Sequence, residues 1–174
     1  MKKKMLKFEV FLDVEDERWK KAIDHLEELV EQVKKSVIDV VYDDVDFLKK
    51  DKNFSINLAL SNDVEVHRLN KEFRGVDKPT NVLSFANVDD AFFEQMLNQE
   101  TDIELGDVIV AFETMKQQAQ EIDVSFQDHF CHLWVHGMLH VLGYDHIKEN
   151  ERAEMEAKET EILAKLNIEN PYQE

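Results

Sequence analysis

With one cysteine, Cys131, the chain cannot close an intramolecular disulfide, and such sparing use fits a reducing compartment. Four glycines and two prolines are too few for a long flexible linker, so residues 1–174 read as a single domain around one core. No stretch approaches the roughly 20 apolar residues that span a bilayer. The basic start, Met1-Lys2-Lys3-Lys4, lacks the apolar continuation of a leader, because Lys7, Glu9 and Asp13 interrupt it. A cytoplasmic protein with no membrane partner is expected. Positive charge is also scarce: 21 Lys and Arg stand against 38 Asp and Glu, a formal net charge of −17. A field of that sign repels polyanions, which speaks against DNA and confines any nucleic-acid contact to a local basic patch.

Apolar residues still make up 43 % of the chain, enough for a packed core, and their spacing assigns the elements. Leu6, Phe8, Val10 and Leu12 alternate as in a half-buried strand. From Asp16, as N-cap, to Val41 the period becomes helical, through Trp19, Ile23, Leu26, Val30, Val33 and Val37. Residues 54–60 alternate again. Asn62 with Glu65 has the form of a capping box for a helix to about Phe73, stopped by Gly75. Residues 81–85 and 105–110 read as strands, and the acidic stretch 87–101 as a loop with room for a helical turn. Helices are expected over about 112–122, 126–142 and 148–166. Four strands interleaved with about five helices indicate an α/β layer structure.

The densest chemistry lies in His132-Leu-Trp-Val-His136-Gly-Met-Leu-His140-Val-Leu-Gly143-Tyr-Asp-His146. His136 and His140, four apart on one helix face, can converge on a single ion. His132 cannot join them, because eight residues of helix separate it from His140 by about 12 Å at ~1.5 Å per residue. His146 can, provided the helix ends after His140 and Gly143 turns the chain back. Three imidazoles with a position left for water describe a catalytic zinc site. The spacing His-x3-His-x5-His, with glycine three residues after the second histidine, is similar to the metzincin protease pattern. Gly137, however, stands where such proteases carry their glutamate base, so this zincin-like three-His metal site lacks protease chemistry. His25, His67 and His129 read as ordinary surface or core residues, and His132 as a residue behind the site.

A second segment, Asn70-Lys-Glu-Phe-Arg74-Gly-Val-Asp-Lys78-Pro-Thr-Asn-Val-Leu-Ser84-Phe85, concentrates Lys71, Arg74 and Lys78 beside Thr80, Asn81 and Ser84 in an otherwise acidic chain. Such a cluster forms a small phosphate-binding patch. Together with Leu105–Val110 and His136–His146, this segment resembles the bacterial YbeY family of zinc-dependent endoribonucleases that mature ribosomal RNA. Ala86 departs from it, standing where the family usually has proline.

The resemblance implies a mixed four-stranded sheet, one zinc on His136, His140 and His146, and a functional role for Arg74. It further implies ribosomal RNA and small-subunit proteins as partners, with single-stranded RNA at the 3′ end of the small-subunit rRNA as substrate and a part in ribosome quality control. On that footing Arg74 would bind the scissile phosphate, with Lys78 and Ser84 assisting. The general base stays open between a zinc-activated water, Asp145 and the substrate's 2′-hydroxyl; Asp145 has an alternative role behind the ligands. Two other readings compete: a non-catalytic, metal-stabilised ribosome-assembly factor whose acidic surface meets basic proteins, and a metal-dependent hydrolase of another substrate such as peptide.

Overall fold

In the computed structural model, which describes residues 6–145 and 148–172, the alternating segments assemble into one four-stranded mixed sheet. Strands β1 (Lys7–Val14), β2 (Asn53–Ser61), β3 (Val82–Ala86) and β4 (Asp102–Ala111) lie in the order β1-β2-β4-β3. β1 and β4 run parallel to β2, and β3 runs antiparallel along the edge of β4. Phe54, Ile56, Leu58 and Leu60 all fall on one face of β2, and Ile103, Leu105, Val108 and Val110 continue that face on β4. Against it pack the buried residues of α2 (Leu26–Val41), α6 (Phe126–Val141) and α7 (Glu149–Lys165). The opposite face is covered near its β3 end by α3 (Asp63–Arg74), whose Val66 meets Leu83, Ile109 and Ala111.

Seven helices occur among the described residues, two more than the apolar period indicates. The single helix expected from Asp16 is divided into α1 (Arg18–Ala22) and α2, with Ile23 extended and His25 left-handed at φ 53°. Trp19, Ile23 and Leu26 are buried on both sides of the break, so the stripe continues through a bend that periodicity does not register. Histidine is among the residues that enter the left-handed region most readily. Asp16 is not the N-cap residue of α1; its Oδ1 accepts from the backbone N of Arg18 at 3.0 Å, just before the first turn. The acidic stretch contains α4 (Phe93–Gln99), anchored by buried Phe93 and Leu97 with Phe47 edge-on to Phe93. Seven residues are too short for a helical period to stand out. Helix α5 (Phe112–Glu121) follows β4 directly.

Helix α6 is buried on nearly every side, which places it in the middle of the molecule. Ser125 caps its start, the hydroxyl accepting from Asp128 N at 3.1 Å. Its end closes as the glycine predicts. Tyr144 N donates to Leu139 O and Gly143 N to His140 O, a Schellman pair with Gly143 at φ 106°. Between these ends Gly137 faces β4 so closely that an added Cβ would lie 2.6 Å from Val108 Cγ1. Val108 is fully buried and has no free direction to yield. The metzincin-like position therefore has no room for a glutamate, for a reason of packing.

No helix among the described residues is long and apolar enough to cross a membrane. Gly137→Ala should lower the stability of the metal-free protein by about 1–3 kcal/mol, despite alanine's better helix propensity. Urea unfolding of this variant alone and in a Val108→Ala background checks it. The alanine should cost less where the valine has been trimmed, and an equal cost in both backgrounds would show that the contact is not the cause.

Candidate functional site

The free edge of β3, the end of α3 and the last two turns of α6 enclose a cleft of about 740 Å³. Val82, Ser84 and Ala86 line it from β3, and His136 and His140 line it from α6. The two imidazoles meet edge to face, with centroids 4.8 Å apart and planes at 73°. Arg74, Lys78 and Asp145 complete the wall. Of the residues expected at the site, six thus share one cavity, while His146 lies outside the described residues. Among the described residues no group of three His, Cys, Asp or Glu side chains is arranged to hold a metal. The donor chemistry that is described fits zinc: two imidazoles one helical turn apart, beside a helix C-terminus whose dipole favours a cation.

Arg74 is placed by the stop of α3. Gly75, at φ 69°, ends the helix, and Val76 N reaches back to Asn70 O. The Arg74 guanidinium then donates to Ser84 O at 2.6 Å and sits 5.0 Å above the Phe85 ring. Ser84 O is available because Asn81 O accepts from Ala111 N, and the alternation of an antiparallel ladder turns the Ser84 carbonyl to the open edge. One guanidinium donor is used in this contact out of five. Asn70, buried at the end of α3, donates Nδ2 to Lys78 O at 2.9 Å and so holds the turn that carries Lys78.

Not all of the basic cluster gathers here. Lys71 does not line the cleft and lies 4.0 Å from Asp77 instead. Asn81 is engaged structurally, donating to Gln118 Oε1 and accepting from Val82 N.

Behind the cleft, α7 supplies a residue that the motifs do not reveal. Glu159 is 1 % exposed, and its Oε1 lies 2.9 Å from His132 Nε2 and 3.2 Å from His136 Nδ1. Tyr172 donates its hydroxyl to Oε2 at 2.9 Å. Burial pushes this carboxyl up, but the hydrogen bonds from His132 and His136 and their charges outweigh it and hold the group down at about 2. An ionised carboxylate only accepts, so both histidine nitrogens carry the hydrogen. A His136 ring that donates to Glu159 through Nδ1 has Nε2 as its remaining nitrogen, the one a metal would take. One signal of Glu159 was present in the sequence: with Met155, Ile162 and Leu163 it falls on the buried stripe of α7. Tyr172 carried none.

A family model described as endoribonuclease YbeY matches residues 13–167. The chain belongs to the YbeY family. A relative named endoribonuclease YbeY from Paramagnetospirillum magneticum is 49 % identical over 119 residues, 68 % of this chain and 71 % of that protein. One of the same name from Clostridioides difficile is 40 % identical over 142 residues, 82 % of this chain and 88 % of the other. The solution structure of TM1509 from Thermotoga maritima superimposes with a TM-score of 0.54 at 19 % identity, over 95 % of this chain and 99 % of that one, and shows the same fold.

The histidine cleft is also set apart by charge. A neighbouring cleft of about 880 Å³ is lined by Asp44, Asp46, Glu94, Glu151 and Glu154, with Lys49 and Lys50 as its cations, and shares Asp145 with the histidine cleft. Carboxylates dominate there, whereas Arg74 and Lys78 face Asp89 and Asp145 in the histidine cleft. Of the two, the histidine cleft has the charge balance less repulsive to a phosphate.

The remaining histidines behave as surface or core residues. His25 and His67 lie near Glu28 and Asp77. Buried His129 has its Nε2 3.2 Å from Gln118 Oε1. Cys131 is buried, and burial pushes its thiol up to about 12, far from a reactive thiolate.

Burial, followed by the charge of His132, lowers His129 to about 4 from an ordinary 6.5. Folding disfavours its protonated form, so stability is full above about pH 6.5 and declines as pH falls to about 4. The loss should be on the order of 1–3 kcal/mol, and His129→Gln should remove it. Glu159, depressed to about 2, gives up its contribution in a separate window, from 4.5 downward. Denaturant unfolding at pH 7 and 4.5 checks this; a His129→Gln protein as pH-sensitive as the parent would assign the dependence elsewhere.

Proposed function

We propose that this protein is a zinc-dependent endoribonuclease that cuts single-stranded ribosomal RNA in the cytoplasm, maturing the 3′ end of small-subunit rRNA and serving ribosome quality control in contact with small-subunit proteins. One observation carries the reading: Arg74 and the imidazoles of His136 and His140 line the same cleft. Phosphate recognition and metal-ligand chemistry are thus within reach of one scissile bond. The names of the relatives supply the RNA.

His136, His140 and His146 are the residues to hold the zinc, which when bound supplies Lewis acidity and an acidified water. The protein's own groups do the rest. Arg74, held over Phe85 by Ser84 O, presents donors to a non-bridging phosphate oxygen and stabilises the charge that develops there. Lys78 adds a second cation on the turn braced by Asn70, and Ser84 a hydroxyl from the cleft wall. Asp145 lines the cleft as a carboxylate able to accept a proton.

A volume of about 740 Å³ suits a ligand the size of about one or two nucleotides, not a duplex. Two cations against a net −17 imply weak, salt-sensitive affinity, with selectivity arising from chemistry at the cleft. That same net charge favours contact with basic ribosomal proteins, the surface on which a purely assembling role would rest.

Purified protein should carry about one zinc per chain, and His140→Ala should lose it; full zinc content in that variant would remove His140 from the ligand set. Arg74→Ala should keep its zinc yet cleave single-stranded RNA about 100-fold more slowly. Unchanged cleavage would remove Arg74 from the mechanism. A zinc-loaded parent that cleaves no RNA, with or without chelator, would leave the assembly role as the better account.

A further inference from the structure

We propose that Glu159 is a positioning residue for the metal centre, bracing His136 through Nδ1, and that the C-terminal segment locks Glu159 in place through Tyr172. The inference rests on the zinc reading above and deepens it. A carboxylate that is 1 % exposed is a costly group to place behind a site, since an apolar side chain of similar volume would pack there without a desolvation penalty. What the carboxylate provides is direction. By accepting from His136 Nδ1 it sets the ring's tautomer and plane, and it makes Nε2 a more basic donor.

Glu159 is itself overdetermined. Its Oε1 also accepts from His132, one turn before His136, and its Oε2 accepts from Tyr172. Tyr172 stands edge-on to His132, with centroids 5.6 Å apart and planes at 89°. The chain after α7 is folded back to make this possible: Asn170 Oδ1 accepts from Tyr172 N at 2.8 Å and from Thr160 Oγ1 at 3.3 Å. One carboxylate thus ties together the middle of α6, the middle of α7 and the C-terminal segment. Those are the two helices that flank the segment bearing His146. His132, excluded as a ligand by helix geometry, acts here two bonds behind His136.

The test is zinc affinity of metal-free protein, measured by competition with a chromophoric chelator, alongside the absorption spectrum of the cobalt-substituted protein. Glu159→Ala should weaken binding about 10- to 100-fold. Glu159→Gln, close in shape and still able to accept from Nδ1, should weaken it less, and Tyr172→Phe less again. Glu161→Gln, an exposed neighbour on the same helix, should bind as the parent does. Nitrogen shifts in metal-free parent should show His136 as the Nδ1–H tautomer. Parent-like affinity and cobalt spectrum in both Glu159 variants, or an Nε2–H ring in the parent, would overturn the positioning role while leaving the zinc reading intact. A parent that takes up no zinc would overturn both.

Discussion

The contact between Gly137 and Val108 is the constraint on which the candidate site depends. It lets α6 lie against β4 without a side chain between them, close enough for the flanking His136 and His140 to reach the cleft beside β3. The same closeness excludes a glutamate at that position. A helix with imidazoles at the metzincin spacing has thus been set on a sheet at a distance where the general base of a peptidase has no space. Arginine chemistry from α3 occupies the opposite wall instead.

The polar groups of the site are held by contacts from neighbouring elements. Arg74 is fixed by a carbonyl at the strand edge and by an aromatic face. Lys78 rides on a turn pinned by buried Asn70. His136 is backed by Glu159, which Tyr172 and His132 hold in turn. Side chains fixed in this way lose less freedom when a ligand arrives, which would help a small cleft on a strongly acidic molecule to take up the anionic substrate proposed for it.

Much of the architecture was legible before the structure. Alternation over residues 54–60 and the apolar run within 105–110 marked the two central strands, and Asn62, Gly75 and Gly143 mark helix ends by chemistry that acts within a few residues. The Ile23–His25 bend was not legible, because an apolar stripe continues across it. Nor was α4, whose seven residues are shorter than two full periods of the pattern that would reveal it. Lys71 belonged to the basic cluster in sequence, yet in space it stands by Asp77 and does not line the cleft.

By itself, the sequence determined that His136 and His140 share one face of one helix. Residues four apart on a helix must share a face, eight residues must separate His132 from His140, and glycine must end the helix where the third histidine could return. Those are properties of a local backbone with a fixed rise. Only the tertiary structure decided that Arg74 would face these imidazoles, that Ser84 would offer a carbonyl to it, and that Glu159 would stand behind His136. These partners lie 10 residues apart for Arg74 and Ser84 and 23 for His136 and Glu159, and nothing in local propensity encodes which strand edge or helix face will close over them. Long-range packing chose, and it did so through burial: Glu159 reaches His136 because the stripe of α7 that carries it is the one the core required.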